Sequence, residues 1–96
     1  MDEDRQKSID LLNDTHTFPC PVMVKVIGNN DEGFITRIVE AVREQLNLKF
    51  DPPIRTREAK NGKHISITIE PRFLKAEEVL DLYARITKIE GVVMLL

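Results

Sequence analysis

The sequence predicts an α+β domain of ferredoxin-like βαββαβ topology, a four-stranded antiparallel sheet with two helices on one face. Apolar residues alternate over 22–27, 54–59 and 64–70, and recur at spacings of three and four over 34–46 and 76–89. The first pattern is typical of strands and the second of amphipathic helices. Asn61-Gly62 is the signal of a tight hairpin between two strands. Two strand–helix–strand units joined by a hairpin give this topology, because right-handed crossovers place both helices on the same face.

Residues 1–17 are predicted to be a flexible N-terminal tail, and residues 18–96 to be a single ferredoxin-like domain. The tail is mostly charged or polar, and Leu11 and Leu12 could dock on the domain as one helical turn. Short isolated helices are marginal in water, so an undocked tail is the alternative. The prolines of Phe18-Pro19-Cys20-Pro21 stiffen the chain where the domain begins.

The first half contains a strand over 22–27 and a helix that begins near Phe34. Asn30 or Asp31 is expected to cap the helix, since either side-chain oxygen can accept from a free amide of the first turn. Asn47 suits the exit of the helix, because asparagine tolerates the left-handed conformation.

The Asn61-Gly62 turn and the alternation of the two strands predict the register of the hairpin. If Asn61 and Gly62 form the turn, one face of the hairpin is led by isoleucine and the other is basic and hydroxylic. The first and third strands are then central, and their aliphatic rows face the helices. The opposite side of the sheet, which we call the open face, is predicted to carry Met23, Lys25, Arg55, Arg57, Ser66 and Thr68.

The second helix is predicted to end at Gly91, and the segment 92–96 is a fourth strand that is apolar on both sides. This strand should be an edge beside the first strand. Exposed apolar edges promote aggregation unless they are covered. A second copy, the N-terminal tail or a client protein would each cover it.

Composition sets further bounds. A chain of 96 residues with 42% hydrophobic and 31% charged side chains is long enough for one core. The net charge of −2 gives no broad positive field, so nucleic acid is not expected as a partner. The single cysteine, Cys20, predicts a reducing, cytoplasmic setting, and no apolar run approaches the roughly 20 residues that span a bilayer.

Little in the sequence supports catalysis. His16, His64 and Cys20 are scattered along the chain, and neither a phosphate-binding loop nor a CxxC pair is present. We therefore expect a protein that is not an enzyme, with no catalytic residue, no metal site and no cofactor. The aromatic side chains fall outside the central strands, which argues against an RNA-binding sheet.

The chain resembles the YbeD-like family of small bacterial proteins. The resemblance rests on Phe18-Pro19-x-Pro21, on Lys25-Val26 followed by Gly28, on His64 followed by Ser66-Ile67-Thr68-Ile69, and on Leu82-Tyr83, Lys88-Ile89 and Met94. These short matches occur in one consistent order and cover the chain from Leu11 to Leu96. The family's function is unknown.

The resemblance implies a fold akin to the ACT regulatory domains, which sense amino acids. The ACT pattern has an aspartate three residues before a glycine where the first strand meets the first helix. Here Asn30 stands in place of that aspartate, and Glu32 stands where a proline is common.

Two site hypotheses follow, and each has a structural alternative. A small-molecule effector could bind at the loop formed by Gly28, Asn29, Asn30, Asp31 and Gly33, which is otherwise a capped turn. An acidic protein segment could bind at Lys25, Arg55, Arg57, Ser66 and Thr68, which are otherwise a solvated sheet face. The first functional hypothesis is a non-enzymatic regulatory or adaptor domain that contacts another protein. The alternatives are an ACT-like amino-acid sensor and an enzyme.

Overall fold

The computed structural model describes residues 2–96, which form three helices, one main sheet and one small sheet. In chain order the elements are α1 (Asp2–Thr15), β1 (Cys20–Pro21), β2 (Val24–Asn29), α2 (Phe34–Gln45), β3 (Ile54–Glu58), β4 (His64–Ile69), β5 (Arg72–Phe73), α3 (Ala76–Ile86) and β6 (Val92–Leu95).

The main sheet is antiparallel and has the strand order β3-β4-β2-β6. β2 and β4 are therefore central and β6 is an edge beside β2, as the sequence predicts. The ferredoxin-like arrangement is confirmed. The two-residue strands β1 and β5 pair separately, with Cys20 opposite Phe73. These strands are too short to show alternation, so the sequence pattern does not reveal them.

The core lies between the sheet and the two helices α2 and α3. Its aliphatic rows come from the central strands, as predicted, and alternate residues of β2 and β4 are buried. Burying each such side chain contributes about 1.5–3 kcal/mol relative to leaving it in water. The fully buried large side chains are Phe34, Phe73, Ile38, Ile67, Ile69, Leu82, Ile86, Val24, Val26, Val42 and Val79.

The hairpin has the predicted register but a longer loop. Ile54 lies opposite Ile69, and Arg57 lies opposite Ser66. The Ala59 amide donates to the His64 carbonyl at 2.9 Å, so the connection runs over residues 60–63 instead of Asn61 and Gly62 alone. Because the Asn61 side chain accepts from the Lys63 amide at 2.9 Å, these residues form a turn of their own.

The expected cap of α2 is wrong. Gly33 occupies the N-cap position at φ 88°, and no side chain accepts from the first turn. Asn30 instead donates from its side-chain amide to the Gly62 carbonyl at 3.0 Å, 32 residues away. Asn47, at φ 53°, has the left-handed conformation expected at the exit of the helix.

Residues 2–15 form one helix of 14 residues, longer than the single turn considered from the sequence. Leu12 packs partly buried against the core, whereas Leu11 is 64% exposed. Arg5 forms an ion pair with Asp81 of α3 at 3.0 Å. The helix therefore contacts the domain through Leu12 and Arg5, and not through Leu11. The flexibility assigned to residues 1–17 stays a prediction.

Candidate functional site

Two rows of side chains cross the open face from one edge of the sheet to the other. In the first row Arg55, Thr68 and Lys25 are direct neighbours on successive strands, and Lys25 exchanges backbone hydrogen bonds with Leu96. The second row consists of Arg57, Ser66, Ile27 and Met94. The sheet thus brings together all of Lys25, Arg55, Arg57, Ser66 and Thr68, the residues that the sequence singles out for partner binding.

The β3 side of these rows is basic and has little internal compensation. Among residues 2–96, no carboxylate lies within ion-pair distance of Lys25 or Arg57. Arg55 approaches Glu70 at 3.5 Å, but its side chain is 73% exposed, so the pair contributes little. The cationic groups of these three side chains are therefore available to an acidic ligand.

The β6 side of the same rows is apolar. Met94 is 50% exposed and Leu96 is 57% exposed. Ile27, on the neighbouring strand β2, is partly buried. Met23, two residues before Lys25, is 56% exposed. The sequence pattern places Met23 on this face, and the alternation over 22–27 puts Ile27 on the same side, but Met94 and Leu96 are not assigned to it. The segment 92–96 is apolar on both sides, so alternation does not indicate which of its side chains lie on the open face.

A shallow cavity of about 210 Å³ lies toward the end of the sheet where the β3–β4 hairpin turns. Lys25, Ile27, Arg57, His64 and Ser66 are among the residues that line it. Glu58 also lines it, so the cations of Lys25 and Arg57 share this cavity with one carboxylate.

The loop proposed for a small molecule is occupied by the protein itself at Gly28. A Cβ built on Gly28 would lie 2.1 Å from Cζ of Phe34, so the ring fills the space that this glycine leaves open. The close approach that the glycine permits is therefore used by the core.

The remaining groups of this loop are also engaged. The Asn29 and Asn30 amides donate to the carbonyls of Gly91 and Lys63 at 2.8 and 2.9 Å. The Asp31 carboxylate accepts from Arg37 at 3.1 Å, and the same guanidinium donates to the Glu90 carbonyl. The five loop residues therefore hold the hairpin and the segment before β6 in place, and few of their groups are free for a ligand.

A larger cavity, of about 540 Å³, lies at the start of β3. The α2–β3 loop, including Leu48, Phe50 and Pro52, lines one side, and residues 68–72 line the other. Phe50 is 81% exposed beside it. Sequence analysis misses this cavity, because it is formed by loop residues that carry no periodic pattern. The one sequence signal for a rigid loop at this place is Asp51-Pro52-Pro53, since consecutive prolines stiffen the chain.

Within residues 2–96, histidine, cysteine, aspartate and glutamate form no cluster of three or more that could hold a metal ion. Burial raises the pKa of the Tyr83 hydroxyl above its ordinary value. No helix in the described part of the chain is long and apolar enough to cross a membrane.

Comparison with known proteins finds relatives along most of the chain. Residues 13–96 match the family described as protein of unknown function (DUF493). The chain is similar to the UPF0250 protein SG0794 of Sodalis glossinidius, with 32% identity over 88% of this chain and 95% of the relative. It is also 34% identical to a UPF0250 protein of Paraburkholderia phymatum, over 73% of this chain and 79% of that protein.

A solved structure supports the same fold. The solution structure of HP0495 from H. pylori matches with a TM-score of 0.66 at 18% identity, covering 84% of this chain and 85% of that one. At this identity the likeness shows the fold alone. The profile match and the relatives together show that the chain belongs to the DUF493 family, the UPF0250 or YbeD-like group of small bacterial proteins of unknown function.

Proposed function

We propose that this protein is a non-enzymatic regulatory or adaptor domain that binds another protein through the open face and the edge strand β6. One observation carries the proposal: within the same two rows, the open face joins exposed apolar side chains to Lys25 and Arg57, which form no ion pair among residues 2–96. In line with its single cysteine, we place this role in the cytoplasm.

The composition of the face favours a protein partner. Arginine and methionine are enriched at protein interfaces, and the face offers Arg55, Arg57, Met23 and Met94. An acidic and apolar segment would satisfy both parts of the surface at once. A solvated face would not require Met94 and Leu96 to remain half exposed beside Lys25.

The edge strand extends this surface. Val93, Met94 and Leu96 are each at least 50% exposed. A partner that lies on the open face and reaches over β6 would cover these apolar side chains. Burial of this apolar area would then stabilise the complex in addition to the charge contacts near β3.

Amino-acid sensing at residues 28–33 is the alternative proposal. Its support is weaker, because the amides and the Asp31 carboxylate of this loop already have partners within the chain. Titration calorimetry with a panel of amino acids tests it. Saturable heat that is lost in Asp31→Asn, while the circular dichroism spectrum is retained, would favour sensing over adaptor function.

Affinity capture tests the adaptor proposal. The tagged wild-type protein and the double variant Lys25→Glu/Arg57→Glu are used to capture partners from bacterial lysate, which are identified by mass spectrometry. The matched control is Lys7→Glu/Lys88→Glu, which makes the same charge change at exposed positions of the helical layer. We expect a partner that is retained by the control and lost in the open-face variant. Equal capture by all three proteins would contradict the assignment.

A further inference from the structure

The outer edge of β3 carries unpaired backbone groups. Ala59 donates to His64, and hydrogen-bonded pairs alternate along an antiparallel ladder, so Arg57 and Arg55 are the next residues bonded to β4. The N–H and C=O groups of Ile54, Thr56 and Glu58 then point away from the sheet. No turn, loop or side-chain hydrogen bond within residues 2–96 reaches these groups.

This edge is more regular than the opposite one. β3 pairs with β4 over five consecutive residues without a shift. The pairing of β6 with β2 is interrupted by a bulge between Ile27 and Gly28. Because bulges protect an edge from strand addition, β3 is the better template for an added strand.

The larger cavity lies at the end of the sheet where β3 begins. Ile54 and Arg55, the first residues of β3, line it together with Leu48 and Phe50 of the preceding loop. A strand added to β3 would pass this cavity at one end. One of its alternate side chains could enter there, which is how strand-addition sites obtain specificity.

The charges of Arg55 and Arg57 determine which kind of strand can pair with β3. Pairing of β3 with β3 of a second copy, centred on Thr56, would place Arg55 of each copy opposite Arg57 of the other. Like charges directly opposite are destabilising, so the edge disfavours its own copy. Acidic side chains of an added strand that lie opposite Arg55 and Arg57 would instead be attracted to them.

We propose that β3 accepts an extended acidic segment of a partner protein as an added antiparallel strand, with an apolar side chain in the cavity beside Phe50. The inference deepens the proposed function, because it also takes a protein partner and shares Arg55 and Arg57 with the open-face site. It differs from that function in using the backbone of β3, and it does not require Lys25.

A designed peptide tests the proposal directly. Its core, Thr-Glu-Val-Glu-Leu, places glutamates opposite Arg57 and Arg55 and the leucine opposite Ile54. Binding of the fluorescent peptide to the full chain is measured by anisotropy. The control peptides carry one N-methyl group, either at the valine amide, which would face Thr56, or at a glutamate amide, which would face solvent. We expect the first to bind at least about tenfold more weakly and the second to bind as the parent does.

Protein variants provide the complementary test. Thr56→Pro removes the outward N–H of Thr56, and a proline whose nitrogen faces solvent is tolerated in an edge strand. We expect about a tenfold loss of peptide affinity in Thr56→Pro and no change in Lys88→Glu, a charge reversal at an exposed position outside the sheet. Circular dichroism and thermal unfolding establish that both variants remain folded.

The outcomes separate this inference from the proposed function. Absence of peptide binding to the wild type, or binding that is insensitive to Thr56→Pro and to valine methylation, overturns strand addition. Self-association lost in Thr56→Pro, measured by sedimentation, would mean that a second copy occupies the edge. Partner capture that depends on Lys25 and Arg57 but survives Thr56→Pro would retain the open-face function and refute the strand.

Discussion

The ring of Phe34 lies directly beneath Gly28, where a Cβ would stand 2.1 Å from the ring carbon Cζ. This contact joins the first turn of α2 to the C-terminal end of the central strand β2. It explains why the alternation of β2 continues through a glycine, and why the loop that follows is held closed.

Gly28→Ala should therefore destabilise the fold. Phe34 is fully buried, so the added methyl group meets a ring that cannot move into solvent. We expect a loss of about 3 kcal/mol in the free energy of unfolding, measured by urea denaturation. Gly62→Ala is the matched control. A Cβ added at Gly62 would have no atom within 4 Å, so only its φ of +70° is unfavourable. A cost of about 1 kcal/mol is expected there. Equal losses in the two variants would refute the packing account.

Arg37 should matter more than an ordinary surface arginine. Its guanidinium donates to the Glu90 carbonyl at 3.1 Å and lies over the Phe34 ring at 5.8 Å. Arg37→Ala is expected to cost about 1–2 kcal/mol of unfolding free energy, because it removes the hydrogen bonds to the Glu90 carbonyl and the cation–π contact with Phe34. The control is Arg85→Ala, which breaks only the exposed ion pair with Glu44 and should cost less than about 1 kcal/mol. The reverse order in thermal and urea unfolding would be inconsistent with the structure.

The contact of α1 with the domain is tested by two neighbouring leucines. Leu12→Ala should cost about 1 kcal/mol of stability and increase cleavage of residues 2–15 by trypsin, because Leu12 packs against the core. Leu11→Ala should change stability by less than about 0.5 kcal/mol, since Leu11 is 64% exposed. Identical cleavage of both variants and the wild type would support the flexible tail predicted from the sequence.

Tyr83 gives a pH-dependent signal of its own. Burial raises its pKa above the ordinary value of 10.0, and the chain contains no other tyrosine and no tryptophan. The protonated hydroxyl is the form that the fold favours. The stability linked to it is therefore present below pH 10.0 and is lost as the pH rises through the folded pKa. Near-ultraviolet absorbance should show tyrosinate forming at higher pH in the folded protein than in urea. A midpoint at or below the urea value would contradict the burial of Tyr83.

The sequence specifies the main sheet because its signals are local and agree with one another. Alternation over 64–69 and the turn chemistry of Asn61-Gly62 indicate the same register, and the structure has that register. The exit of α2 at Asn47 is similarly a property of one residue.

Other features depend on contacts between distant parts of the chain. Asn30 is a reasonable helix cap by its type, but its side chain bonds to Gly62 because the hairpin folds back against it. The register shift of β6 and the cavity beside Phe50 likewise arise from packing. The residues of the open face could be predicted on β2, β3 and β4, where polar or isolated apolar side chains alternate with aliphatic rows. Met94 and Leu96 could not be predicted, because the last strand is apolar on both sides.

The methyl groups of Met23 and Met94 provide the most direct test of partner binding at the open face. Both side chains are at least half exposed there, whereas Leu74, 66% exposed, precedes α3 and lies away from the two rows. The ¹³C-methyl spectrum of the labelled protein is recorded during titration with the captured partner. We predict that the Met23 and Met94 signals shift or broaden while the Leu74 signals do not. Changes at Leu74 with unaltered methionine signals would contradict it.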